Sequence, residues 1–315
     1  MEQQHMFTNR MIRNLLVPVV LEQILNSIMG TADTMMVSNV GSAALSAVSL
    51  VDSINVLLIQ AFSALAAGGA IVCAQYIGQR NYEKANMSAR QVLFIITAIS
   101  VVVSAVCLIF QKPLLRLIFG AVDADVMRAS EIYFFFTALS FPFIAAYDSA
   151  ASIFRAQENT KGPMTISMIS NIMNIGGNAV LIWVFHLGVA GAAISTLVSR
   201  IFCAVVVLWQ LRKDRQPVVV RDYLKIRPDW SMIGRILGLG IPSGIENSMF
   251  QLGKLAIQST VSTLGTAAIA AQAMTNILEN LNGIAAIGVG VGLMTIVGQC
   301  LGAGRKDEAV YYIKK

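Results

Sequence analysis

Charged side chains are scarce in this chain. Asp, Glu, Lys and Arg make up 13% of its 315 residues, against ~25% in an ordinary soluble domain. With 56% hydrophobic residues and a mean hydropathy of +0.68, that shortage excludes a soluble globular chain. It predicts an all-α polytopic membrane protein. Histidine is nearly missing, with two residues, and the four cysteines (Cys73, Cys107, Cys203 and Cys300) lie far apart in apolar runs. Neither type offers metal-ligand spacing, and the cysteines read as inert packing thiols. Nucleophile–base constellations and an ATPase domain are lacking too. The run Gly288-Val289-Gly290-Val291-Gly292 has no Lys-Ser/Thr after it, so it reads as a close-packing helix face rather than a phosphate loop. Neither an enzyme nor a cofactor is expected. A cleavable signal peptide is not expected either, because the first apolar run is of spanning length without a small-residue cleavage site.

Hydropathy predicts eight spans, each with the ~20 apolar residues that a bilayer requires. Their approximate cores are 15–38, 49–76, 91–111, 132–154, 164–186, 189–211, 235–260 and 269–299. The net charge of +6 is no nucleic-acid footprint, since most basic residues fall between these runs. Arg10 and Arg13 precede the first span, Arg80, Lys84 and Arg90 follow the second, and Arg155 and Lys161 follow the fourth. The joints after spans one, five and seven carry no Lys or Arg. That alternation puts the amino terminus and the even-numbered joints in the cytoplasm of a cell with a multi-pass inner (plasma) membrane protein. Residues 212–234, interrupted by Pro217 and Pro228, read as a cytoplasmic linker between a six-helix lobe over 1–211 and a second lobe over 235–315.

The second lobe begins as a copy of the first. A shift of 224 lays Pro18 on Pro242, Glu22 on Glu246, Gly41 on Gly265, Gln75 on Gln299 and Gly78 on Gly302, with roughly 15 of about 68 positions identical. Lys315 then aligns with Gln91, so the copy holds two helices and the start of a third. Equal copies imply an intact protein of about 435 residues.

The first span, around PVVLEQILNSIMGTADTMMVSNVG, carries Glu22 and Asp33. Eleven residues at 100° each return both to one helix face, roughly 16 Å apart. Charge inside a bilayer costs at least ~2.5 kcal/mol, so such groups usually face a cavity with a function. Asp33 falls in the outer half of the membrane. It is either a seat for H⁺ or Na⁺, which suit a carboxylate oxygen, or a carboxylate reaching the outer surface. Glu22 and its copy Glu246 are either counter-charges for a cationic substrate or packing carboxyls. With Asn26 and Met29 of the first span, they are the expected lining of a substrate cavity. In the fifth span Asn171, Asn174 and Asn178 share a face by i, i+3, i+7 spacing, which fits a polar site or helix–helix hydrogen bonding. Asp52, Asp148 and Glu279 are weaker candidates.

Several stretches together resemble the multidrug and toxic compound extrusion (MATE) transporters. TADTMMVSNVG around Asp33 is similar to the family's first-helix motif. GQRNYEKA at 78–85 and GAGRKDEA at 302–309 resemble the cytoplasmic sequences after spans two and eight. FRAQENTKGPM at 154–164 resembles the entry to span five. Asn174, Asn178 and Gly188-Val-Ala-Gly191-Ala-Ala leading to Thr196 resemble the family's fifth span and its turn into the sixth. The resemblance covers essentially the whole chain. It implies a MATE-like fold of twelve helices in two six-helix lobes about a central cavity, of which this chain holds one complete lobe and the first two helices of the second. It further implies alternating-access export of small, often cationic and lipophilic organic compounds against Na⁺ or H⁺, in contact with membrane lipid, with no nucleic acid and no obligatory protein partner. Carried over residue by residue, the cation site is Asp33, Asn174, Asn178, Thr196 and the carbonyl of Ala192. Asp33, Asn174 and Asn178 are the implied ligands if the ion is Na⁺. Some relatives have Asp where this chain has Asn178, which lowers the charge of the site. A lipid-linked glycan flippase of related fold is the alternative. It needs span arginines for a phosphorylated headgroup, and Arg200 is the clearest one.

Overall fold

The computed structural model describes residues 5–119, 123–213, 216–221, 227–262 and 266–314. All regular structure in them is helical. The order is α1 (Asn9–Ser38), α2 (Ser42–Gly78), α3 (Tyr82–Ile109), α4 (Gln111–Phe119), α5 (Ala124–Leu139), α6 (Phe141–Ala156), α7 (Lys161–Asn178) with a π-helical turn at Ala179–Val184, α8 (Gly188–Leu211), α9 (Trp230–Ser262), α10 (Thr266–Gly302) and α11 (Lys306–Lys314). Among the described residues, six stretches are long and apolar enough to cross a membrane, or seven if the bent α5–α6 pair is one span. The chain is thus an all-α polytopic membrane protein. The expected seventh span lies on the 33-residue α9, which is long enough but is not among the six. Its polar residues Ser243, Glu246, Asn247 and Lys254 explain the lower hydropathy. Of the expected linker, residues 214–215 and 222–226 lie outside the described residues.

Helix ends follow local chemistry. Thr8 Oγ1 accepts the Met11 amide to cap α1, and Asn81 Oδ1 accepts the Lys84 amide to cap α3. The fourth span, expected as one rod, is bent by 42° at Ser140. Pro142 lacks the N–H that would bond Ala138, and the freed carbonyl accepts the Ser104 hydroxyl of α3 at 2.8 Å. Pro18 acts likewise inside α1, where the carbonyl of Asn14 accepts the Thr160 hydroxyl at 3.4 Å.

The main core packs α2 against α3, α5, α6 and α8 through Phe62, Ile96, Phe134, Phe141, Ile153 and Phe154, each at most 2% exposed. A smaller cluster joins Phe7 to Ile296, Cys300, Ala309 and Tyr312. There the amide of Phe7 donates to the Tyr312 hydroxyl at 2.8 Å and that of Met6 to Glu308 at 2.9 Å.

Positions related by the 224 shift meet reciprocally. Ala64 faces Gly244 as Gly288 faces Val20, and Gly68 lies on Gly240 as Gly292 lies on Leu16. At the end of α2, a methyl on Gly78 would run into the backbone carbonyl of Gln299. One on Gly302 would run into that of Gln75. Ala74 and Gly298, themselves 224 apart, face each other. A Cβ at Gly298 would sit 3.0 Å from that of Ala74. This is the geometry of a two-fold axis, with residue i meeting j and j's copy meeting i's. These approaches fall within 64–78 and 288–302, toward the side where α1 begins. Side chains of α10 add to them: Thr295 Oγ1 donates to the carbonyl of Arg155 at 3.2 Å and Gln299 Nε2 to that of Ala156 at 2.9 Å. In the following turn, burial pushes the Glu158 carboxyl up, opposed by its hydrogen bond with Gln299.

Candidate ion and substrate site

Near the far end of α1, Asp33 meets α7. Its Oδ1 accepts the Asn178 amide at 2.6 Å. Asn178 also donates to Asn174 Oδ1 at 3.3 Å, Asn174 donates to Thr196 Oγ1 at 3.3 Å, and Thr196 donates to the carbonyl of Ala192 at 3.0 Å. The structure therefore joins all five expected members in one network across α1, α7 and α8. Asn174 and Asn178 are each 1% exposed. They are held by the crossing of α7 with α8, where Ser195 Oγ donates to the Asn174 carbonyl at 2.8 Å and Gly177 leaves room for Ser195. The π-helical turn starts directly after Asn178, and such turns recur at functional positions.

Two features make this network chemically responsive. Asn178 Oδ1 is buried without a hydrogen-bond partner, and an orphaned buried acceptor is an available oxygen ligand. Asn174 can present either end of its amide to Asp33. With nitrogen facing, it donates to Oδ1 at 2.8 Å and Oδ2 at 3.3 Å, which suits an ionised carboxylate. With oxygen facing, two acceptors would oppose each other, so the nitrogen-facing arrangement is the one the site favours.

The other expected residues are placed differently. Asn26 Oδ1 accepts from Ser167 and Asn171, both at 3.0 Å, so Asn171 serves α1–α7 packing lower down. Met29 is half-buried on the same helix. Glu22, expected as a cavity counter-charge, is 2% exposed and bound to Arg155, whose Nη2 lies 3.1 Å from both carboxylate oxygens, and it accepts the Tyr147 hydroxyl at 3.2 Å. Its charge is thus paired within the protein, the arrangement of the packing carboxyl, one of its two expected readings. Its copy Glu246 is exposed. Asp52 accepts from Asn55 and the Tyr133 hydroxyl, both at 3.2 Å. Glu279 pairs with Lys254 at 2.7 Å, and Arg200 Nη1 donates to Ser140 Oγ at the α5–α6 bend at 2.6 Å. Sequence reasoning missed Arg155, Tyr147 and Tyr133. Hydropathy puts Arg155 in a joint, although it follows Asp148 by two helical turns on one face. The described residues contain no group of three or more His, Cys, Asp or Glu arranged for a metal.

This is a multi-pass membrane protein with a buried oxygen cluster hung on a first helix that carries a proline. The MatE family profile matches residues 18–180 and again 242–315, and the chain belongs to that family. It is 27% identical over 308 residues to a probable multidrug resistance protein, YoeA, of Bacillus subtilis, covering 95% of this chain and 66% of the relative. It is 25% identical to a probable multidrug resistance protein, NorM, of Thermotoga maritima, covering 96% and 65%. The chain thus spans just under two thirds of these relatives' length. Among solved structures it superimposes on a MATE transporter in the bent conformation (TM-score 0.88, 21% identity, 97% of this chain and 69% of that one). It also matches an outward-facing MATE transporter of the MOP superfamily (0.89, 20%, 97% and 68%).

Proposed function

We propose that this chain is part of a secondary active multidrug exporter that exchanges small organic, often cationic compounds for Na⁺ or H⁺ by alternating access. In this reading residues 1–211 form one six-helix lobe, 212–234 a cytoplasmic linker, and 235–315 the opening of a second lobe. The amino terminus is cytoplasmic, in the inner (plasma) membrane of a bacterium, with lipid covering the outward apolar faces. The observation that carries the proposal is Asp33 sharing a buried network with Asn174, Asn178, Thr196 and the Ala192 carbonyl. Relatives described as multidrug resistance proteins support the substrate class.

The conformation fits an outward-facing state, since the seal between copies lies on the proposed cytoplasmic side. The ion loads Asp33 from outside, and loading favours release of the drug. The ion must bind the two states unequally, because equal binding shifts nothing. A tenfold gradient supplies ~1.4 kcal/mol, and 100 mV supplies ~2.3 kcal/mol per net charge moved. One-for-one exchange with a monovalent cation forfeits the second contribution, so strong pumping requires more than one ion per drug or an uncharged substrate. The flippase alternative loses its support, because Arg200 is engaged by Ser140 and Arg155 by Glu22.

Dye efflux from vesicles bearing the full-length transporter tests the reading. Asp33→Asn is expected to lower efflux at least tenfold under whichever of the Na⁺ and pH gradients drives the wild type, with the protein still folded. Efflux equal to wild type under that driving gradient would remove Asp33 as the coupling site.

A further inference from the structure

We propose that Arg155 is a positioning residue through which the inner seal holds α1. Its backbone is gripped by α10 and its side chain grips Glu22, so the helix carrying Asp33 is fixed while α10 is docked and released when α10 withdraws. This rests on Asp33 as the ion's seat and adds the route by which that seat is tied to the opposite side of the membrane.

Arg155 stands in the last turn of α6, where carbonyls lose their intrahelical donors. Its own carbonyl receives the Glu158 amide at 2.9 Å and the Thr295 hydroxyl at 3.2 Å, and the neighbouring Ala156 carbonyl receives Gln299 Nε2 at 2.9 Å. Side chains from α10 therefore complete the end of α6. The same residue turns its guanidinium inward to both oxygens of Glu22, and Tyr147, two turns before it on α6, adds its hydroxyl. A buried carboxylate deserted by its cation is strongly unfavourable, so Glu22 and Arg155 move together or separate at high cost. Glu22 lies three turns below Asp33 on the same helix face, and Pro18 interrupts α1 one turn below Glu22. A displacement at the inner end of α6 is thereby carried into the segment of α1 that ends at the ion site.

Arg155 also has an alternative. Its Nε is buried without a partner, and Asp148, half-buried on the same face of α6, lies within electrostatic reach. When Glu22 moves away, the guanidinium has a second carboxylate to meet. Asp148 also lies within electrostatic reach of Arg200, so it can meet Arg155 without being left alone when the guanidinium turns back to Glu22.

The test uses the full-length transporter with its native cysteines replaced and the pair Ala74→Cys and Gly298→Cys installed on the two-fold axis. The 3.0 Å between their Cβ positions lies just under the ~3.5–4.5 Å window of a disulfide, so oxidation reports the closed seal. Normalised at each pH to the oxidation rate of the same thiols in the denatured transporter, which removes the change in thiolate fraction, the rate in the parent is expected to change at least threefold between saturating and absent Na⁺, or between pH 5 and pH 9. In Glu22→Gln that dependence is expected to vanish while crosslinking persists. Tyr147→Phe, which removes one donor and keeps the ion pair, is expected to fall between. Full ion dependence in Glu22→Gln would overturn this inference and leave the ion site standing. A parent insensitive to both ions would overturn the ion-coupling reading and this inference with it.

Discussion

Gly302→Ala is expected to force open the seal between α2 and α10 and to shift the full-length transporter away from the closed-seal state by roughly tenfold to a hundredfold. The added methyl would run into the backbone carbonyl of Gln75, and a backbone has no rotamer with which to retreat. Overpacking a tight interior costs about 1–3 kcal/mol, and ~1.4 kcal/mol is a factor of ten in an equilibrium. Gly78→Ala meets the carbonyl of Gln299 in the same way, so the two substitutions should behave alike. Because both wedge one crossing, their combination should add less than the sum. Spin-label distances between the inner ends of α2 and α10 measure the shift. Gly234→Ala in α9, where nothing lies within 4 Å of the new methyl, is the control and should leave the distances unchanged.

Arg155→Ala is expected to be among the most destabilising single changes in the chain, by about 3–5 kcal/mol, because it leaves Glu22 ionised and buried without its cation. Removing both charges is different: replacing a buried pair by apolar residues of similar size is often neutral or stabilising. Glu22→Leu combined with Arg155→Met should therefore melt in detergent near or above the wild-type temperature. It should still lose the ion dependence of the seal. Stability recovered without coupling separates the pair's two roles, whereas a double variant as unstable as Arg155→Ala would contradict the ion-pair account.

Much of this was legible in the residues. The scarcity of charge gives the membrane class, and the 224-residue shift shows which positions are equivalent, while the contacts that pair them, Gly78 on Gln299 and Gly302 on Gln75, come from the structure. The i, i+3, i+7 asparagines locate the α7 side of the site, although only Asn174 and Asn178 join Asp33 while Asn171 turns to Asn26. What stayed hidden depends on partners distant in the chain. Glu22 and Glu246 are equivalent in sequence, yet one is buried against Arg155 and the other exposed, and nothing in the first helix announces an arginine 133 residues later. The bend at Ser140 and the hydroxyls that satisfy Ala138 and Asn14 follow from Pro142 and Pro18, but the donors Ser104 and Thr160 come from other helices.

Ion binding to the purified full-length transporter tests the central claim most directly. Calorimetry against Na⁺, together with proton release followed by an indicator dye, should give at least one ion taken up per chain, and Asp33→Asn should lose that uptake while Glu246→Gln keeps it. Uptake by Asp33→Asn equal to that of wild type, for both Na⁺ and H⁺, would place the driving ion elsewhere and contradict the account.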